Sequence, residues 1–590
     1  MGFEGIIPPP NSARVRATQY SSRGLLFSSA TPIGPTPGTW GTTMAEPAGA
    51  GPRPLLGRIS LQNLLIAQVM GFIAGVAALL LGLQALPALA VGVVVALIPL
   101  IPVAKRTLLD WIATWWRYLT KRDYRIGDTV DFRGADGRSL GLYWDGSRVV
   151  TVVEVLAPPG GLTRIARNTV HASHLLPLPE LAKCLNQHDI LLSGIDIISH
   201  GHRSRSGTPA GKIYESLLGP LPATAHRTVW LAISFDAVAC PDAAARRGGG
   251  ADGASRAVTI ATQRIMRALE DADCNARILT APEIKKAVLQ ITGGFDPRTL
   301  EHRWRYAEIG NSVNIGMAVD PKKLGSDLLA QLWVAPSRGT TVAVRLRPGS
   351  SAEAVSIGAA WRLTARELPE RSKLAGMVSM NGRHRDGLLA HLPLAVPGVD
   401  GTVPMSEYPI EVIDALHLPS SGCGQLIGSD DEGNGVAVRI VGTGISTVYV
   451  AGELYLAQQL VFRALAVGER VLIRTDRAHA WENLVTTIGN PERLTLAVET
   501  HQSDAGFTAT VVDGVLAPAP HAGVTTIYVT GDPMGWPATR PDLSIHQPAA
   551  IGNHVILRTG TAQVDLTLVS IPREATYIGH PRGRRGAPVG

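Results

Sequence analysis

Charge is scarce in this 590-residue chain: Asp, Glu, Lys and Arg make up 17% of it, against 45% apolar residues. Cysteine is scarcer still, with Cys184, Cys240, Cys274 and Cys423 scattered and no CxxC pair. That excludes a disulfide frame and leaves reduced thiols in a cytosolic body as the reading. The chain also lacks a GxSxG elbow, an HExxH helix and a Walker lysine, the short signatures of several hydrolase and NTPase chemistries. The net charge of +7 would suit nucleic acid. Much of the excess, however, lies beside one apolar run and in the tail at Arg582, Arg584 and Arg585. Anionic lipid is the nearer partner there, and no nucleic acid is expected.

What is present, and organises the rest, is an uncharged run from Ile59 to Ala104 between Arg58 and Lys105-Arg106. One bilayer crossing takes about 20 apolar residues, so the run has length for two. Gly82, Gln84 and Pro87 break it, which predicts helices over about 63–83 and 88–104. Ala67, Gly71 and Gly75 recur at four-residue spacing in the first, and Ala88, Gly92 and Ala96 in the second. Small residues on one face let helix backbones approach closely in lipid. The bland alternative is a core hairpin of a soluble protein, which this length disfavours. Arg53 and Arg58 precede the run, and Lys105, Arg106, Arg117, Lys121, Arg122 and Arg125 follow it. The connecting turn carries no charge. This positive-inside pattern predicts a multi-pass protein of the inner membrane with both termini cytoplasmic.

The fold class expected is therefore an integral membrane protein: a two-helix transmembrane hairpin followed by an α+β cytosolic region with mixed sheets. Residues 1–57 are rich in Pro, Gly, Ser and Thr and read as a disordered tail. The hairpin occupies 58–104. Residues 105–125 form an amphipathic juxtamembrane helix, with Leu108, Trp111, Ile112, Trp115 and Leu119 on one face. Trp111, Trp115, Trp116 and Tyr118 suit the headgroup level or a partner surface, and packing of this helix on its own cytosolic domain is an equal alternative. A cytosolic α+β domain follows over 126–395. A Pro/Gly-rich linker near 392–402 leads to a second, β-rich α/β region over 400–576, and 577–590 is a disordered basic tail.

The chemistry-bearing patterns are weak. Gly442-Thr443-Gly444 and the strand and helix after it resemble a phosphate loop, yet no Lys follows and Glu453 sits where phosphate would lie. His171 and His174, or Cys184 and His188, could pair on a helix face, without a third ligand nearby. His200, His202, Arg203 and Arg205 form a basic loop that reads as solvated. The acidic loop 430–435 lacks calcium-ligand spacing and reads as a turn. No catalytic, cofactor or metal residue is assigned.

Several stretches carry a family resemblance: Tyr143-Trp144-Asp145-Gly146 with the Val-rich run 149–155, the stretch 418–428, and 457–466 followed by Thr475-Asp476-Arg477 and Trp481. With the layout of the chain, these resemble EccE, the membrane component of actinobacterial ESX (type VII) secretion machines. The resemblance implies a non-enzymatic assembly subunit without a cofactor. It would lie in an inner-membrane complex with EccB, EccC and EccD, docking those subunits through its cytosolic domain. The competing reading is a membrane-tethered enzyme using a nucleotide or sugar nucleotide around 442–475. The topology has a direct check. A cysteine replacing Gln84 is expected to react with a membrane-impermeant thiol reagent in intact spheroplasts, and one replacing Ser147 is not. Labelling at Ser147 would overturn the orientation.

Overall fold

The computed structural model describes residues 61–103, 106–120, 126–134, 137–369, 374–396, 399–497, 502–548 and 552–580. The tail expected over 1–57, most of that over 577–590, and Arg53, Arg58, Lys105, Lys121, Arg122 and Arg125 lie outside them.

Two apolar helices come first: α1, Leu61–Leu80, and α2, Ala85–Leu97, which continues as a 3-10 turn over Ile98–Leu100. Gly82, at φ +87°, takes the left-handed conformation that reverses the chain. Pro87 lies inside the first turn of α2, where its missing N–H has no helical partner to lose. That is why α2 starts earlier than the sequence predicts. Pro99 has no amide to continue the α ladder, and α2 accordingly tightens and stops early. Among the described residues only α1 is long and apolar enough to cross a membrane; the apolar stretch Ala85–Leu100 is shorter. A third helix, α3, spans Leu108–Thr120.

The body is built on two sheets. The first runs in the order Glu301–His302, Ala307–Ile309, Ser312–Val319, Ala354–Ala365, Gly339–Pro348, Gly194–His202, His226–Asp236, Arg148–Val155, Ser139–Asp145, Thr129–Arg133. Most of these strands are runs rich in Val, Ile, Leu and Ala. The runs are near-continuous because both faces are covered. Val149, Val153, Ile195, Ile197, Leu231 and Ile233 pack on one side with helix α4, Gly250–Asp271. Val150, Val152, Ile198, Trp230 and Ala232 pack on the other with helix α5, Ala281–Ile291. Buried charge in this layer is answered locally. Asp196 accepts from Arg345 Nη2 (2.9 Å) and Arg347 Nη1 (2.7 Å). Arg362 donates only to neutral acceptors, Asn314 Oδ1, Thr341 Oγ1 and Ile291 O.

The second sheet contains a parallel part: β1, Thr447–Ala451; β2, Val471–Thr475; β3, Ala509–Asp513; β4, Thr525–Thr530; and β5, Leu543–His546. They pair in the order β2-β3-β4-β1-β5, all parallel. Helix α6, Leu454–Val467, follows β1, and α7, Ala478–Ile488, follows β2. The sheet continues antiparallel from β5 and ends on Leu162–Ile165 and Val170–Ala172. Those last strands precede residue 395, so the two cores do not divide at the expected linker. Strand Leu162–Ile165 is too short to announce itself and is held by pairing with Gly435–Val438, far along the chain.

Helix α6 is buried all round and caps at Gly468, φ +118°, which closes its last turn. Its Arg463 is the polar hub of this core. The guanidinium donates to Glu574 Oε1 and Oε2 (both 3.1 Å), to Leu426 O (2.8 Å), to Ile427 O (3.2 Å) and to Val569 O. Arg463 and Glu574 have side-chain exposures of 1% and 0%. Removing one partner of such a pair leaves an uncompensated buried charge, a cost of about 3–5 kcal/mol. Arg463→Ala is expected to lower stability by about that amount, read as a fall in the denaturant midpoint of the full chain in detergent. Glu574→Gln, which keeps an acceptor, should lose less.

Candidate functional site

The α1–α2 seam is built from residues too small to hold the backbones apart. Ala67 and Ala88 are each 1% exposed. A Cβ on Gly71 would lie 2.6 Å from Gly92 O and 2.7 Å from Ala96 Cβ, and one on Gly92 would lie 2.9 Å from Gly71 O. Gly75 is looser, with its nearest neighbour, Ala88 O, at 3.6 Å from a Cβ. The structure thus brings Gly71, Gly75, Ala88, Gly92 and Ala96 together. The outward faces are the reverse: Phe72 is 74% exposed, Leu80 84% and Leu86 81%. A surface of this kind is stable only when something apolar covers it.

Helix α3 is tied to the root of α1. Thr107 and Asp110 cap it reciprocally: Asp110 N donates to Thr107 Oγ1 (3.2 Å) and Thr107 N to Asp110 Oδ2 (3.1 Å). Asn63 Nδ2 of α1 donates to Asp110 Oδ1 (3.0 Å) and Thr107 Oγ1 (3.2 Å). Burial acts to raise the Asp110 pKa, but these donors and the charge of Arg383 outweigh it and hold the carboxyl below its usual value.

One face of α3 then packs on the body. Trp111 meets Trp304 with centroids 6.1 Å apart, and Tyr118 stands edge-on to Trp304 at 5.4 Å and to His302 at 5.0 Å. Between them Thr114 is fully buried and accepts from Arg383 Nε (3.0 Å). The other face points away: Ile112, Trp115, Trp116 and Leu119 are all more than half exposed. Sequence periodicity places Trp111 and Trp115 on one apolar face, whereas the structure separates them. The signal missed is Trp304, whose docking onto the 111–114–118 row no local pattern reveals.

The nucleotide-like features also separate. Gly442–Ser446 lies at the amino ends of the parallel strands, where Ser446 N and Oγ donate to Asp542 Oδ2 (2.8 and 2.9 Å). Ligands of doubly wound sheets sit at the opposite, carboxyl ends. There, the loop from β1 to α6 is filled by Gln547. Its Oε1 accepts from Glu453 N (2.8 Å) and lies 2.6 Å from where a Gly452 Cβ would be. Asp513 ends β3, a place suited to holding Mg²⁺ in a P-loop enzyme. Here it accepts from Thr475 Oγ1 (2.9 Å), Arg477 Nε and Nη2 (2.9 and 2.6 Å) and Trp481 Nε1 (2.8 Å). Its oxygens are committed to a closed ion pair.

The remaining candidates disperse. His171 sits on a strand, and His174 follows it. The short helix carrying Cys184 ends at Lys183, so Cys184 and His188 share no helical face. Burial pushes the Cys184 thiol up to about 11, out of the reactive range. Among the described residues no three His, Cys, Asp or Glu side chains group as a metal site. The loop 430–435 is a turn between paired strands, with Asp430 Oδ1 accepting from Glu432 N and Asn434 N.

An apolar helix pair with a glycine seam, rooted on a large β-rich body, defines a membrane-associated subunit. Comparison with known proteins specifies it. The family described as "Putative type VII ESX secretion system translocon, EccE" matches residues 223–319, which lie in the first sheet and helices α4 and α5. The ESX-5 secretion system protein EccE5 of Mycobacterium marinum is 25% identical over 347 residues, covering 56% of this chain and 84% of that protein. EccE5 of Mycobacterium tuberculosis is 27% identical, covering 51% and 78%. The ESX-1 protein EccE1 of Mycolicibacterium smegmatis is 23% identical, covering 54% and 68%. These matches support the EccE family of type VII secretion for this chain, as a secretion system component.

The seam distances discriminate between its glycines. Gly71→Ala has no room and should lower the yield of assembled complex several-fold, and Gly71→Leu with Gly75→Leu should abolish it. Gly75→Ala, with ordinary contact distance, should assemble as wild type. Equal yields from Gly71→Ala and Gly75→Ala would show that the seam does not close in the membrane.

Proposed function

We propose that the chain is a non-enzymatic assembly subunit of the secretion complex. In this reading both α1 and α2 cross the inner membrane, the termini and body are cytoplasmic, and the free face of α3 docks another membrane subunit of the machine. The observation that carries the proposal is the splitting of α3. Trp111, Thr114 and Tyr118 fasten it to the body and Asn63 fastens it to α1, while Ile112, Trp115, Trp116 and Leu119 stay uncovered. Burying each indole is worth roughly 2 kcal/mol or more. A rigidly mounted stripe of this sort at the membrane root suits a protein partner, with lipid headgroups beside it. The enzymatic alternative is disfavoured by the Gln547 side chain in the β1–α6 loop and by the closed Asp513–Arg477 pair.

Trp115→Glu with Trp116→Glu places charge on the free face without touching the docked row. The variant is expected to stay in the membrane fraction with a protease-resistant body, to lose most co-purification with other secretion subunits, and to stop secretion. Full assembly and secretion by this variant would rule out α3 as the docking element.

A further inference from the structure

A second feature lies where the two cores meet. The sequence marks His200, His202, Arg203 and Arg205 as a basic cluster, and folding sorts its members. Arg203 turns inward to Glu215 (3.3 Å) and to backbone carbonyls. His200 and His202 are half-buried, and desolvation lowers their pKa values to about 3 and about 4, so both rings are neutral at pH 7. Arg205 remains exposed. Its amide donates to Ala466 O at the end of α6 (2.8 Å), and its Cδ lies 3.5 Å from where a Gly468 Cβ would be.

Arg205 opens onto a cavity of about 310 Å³ that it shares with Arg338, His200, His202, Asn311 and Ser312, and no carboxylate is among its lining residues. Arg338 donates only to neutral groups, Asn311 O and Oδ1 and Ser312 Oγ (3.0 Å). Arg493 lies near Arg205 on the side of the second core, and its buried Nη1 has no hydrogen-bond partner among the described residues. Burial, then the charges of Arg205 and Arg470, lower the Arg493 pKa, the signature of crowded like charges. The adjacent carboxylate of Glu469 is engaged by His226 (3.1 Å). Glu492 offsets part of the crowding at Arg493, but no carboxylate lines the cavity itself, and guanidinium groups facing such a space favour an anion that joins them.

We propose that this cavity is a binding site for a phosphoryl group, held between the guanidinium forks of Arg205 and Arg338 and neutral donors such as Asn311 and Ser312. Planar guanidinium donors match the oxygens of a phosphate in pairs. The group could be carried by a free phosphate compound or by the headgroup of an anionic lipid. The walls belong to the first core, and Arg205 at the rim bonds through its amide to the end of α6 in the second.

The test uses the full chain and two probes, inorganic phosphate and pyrophosphate, titrated calorimetrically in neutral-lipid nanodiscs and in discs containing phosphatidylglycerol. Saturable binding at one site is expected, weakened about tenfold or more by Arg205→Gln and by Arg338→Gln. Arg540→Gln, remote from the cavity, should bind as wild type. Arg205 is exposed, so its variant should melt as wild type, which separates lost binding from lost folding. Weaker pyrophosphate binding in the phosphatidylglycerol discs assigns the site to a lipid headgroup; equal binding in both assigns it to a soluble phosphate. Absence of saturable binding by either probe, or undiminished binding by the well-folded Arg205→Gln chain, would overturn the proposal.

Discussion

Asn63, Thr107 and Asp110 form one hydrogen-bonded knot where the apolar helices meet the body, and the placement of everything else depends on it. The carboxylate of Asp110 serves two helices at once, closing the first turn of α3 and receiving the side chain of Asn63 from the root of α1. A charge-assisted bond at a half-buried site is short and directional, so it fixes an angle as well as a contact. From that angle follow the docking of Trp111 and Tyr118 against Trp304, and the outward aim of Trp115 and Trp116. The seam of Gly71 and Gly92 fixes α2 on α1 by a different means, backbone contact that any Cβ would block.

Polar groups inside the body follow a common logic. Asp196 with Arg345 and Arg347, Arg362 with its neutral acceptors, and Arg463 with Glu574 each join elements distant in sequence. Charges this deeply buried tolerate few geometries, so each network selects one packing of sheet against helix or loop. The second core shows the same economy of function. A parallel sheet ends in a conspicuous Asp and a glycine-led helix, yet Gln547, Arg477 and Trp481 occupy the positions from which phosphate and cation would be held.

Much of this was legible in the linear chain, and the reasons are local. The uncharged run with Gly82 and Pro87 inside it implied two apolar helices, since the apolar length and the residues that interrupt it are properties of adjacent residues. The four-residue spacing of Gly71, Gly75 and Gly92, Ala96 marked one face of each helix, because helical periodicity maps spacing onto direction. The Val-rich run 149–155 forms a strand.

The tertiary structure alone decided which surfaces those elements shared. Strands Leu162–Ile165 and Val170–Ala172 joined a sheet whose other members begin after residue 424, since strand pairing is chosen by backbone partners that may lie anywhere in the chain. The row Trp111, Thr114, Tyr118 was separated from Trp115 and Trp116 by Trp304, a side chain nearly 200 positions away. The basic run at 200–205 was likewise sorted into half-buried neutral rings, one inward ion pair and one exposed guanidinium. Composition and periodicity report what each residue can do, whereas burial and charge state are set by neighbours that only folding brings close.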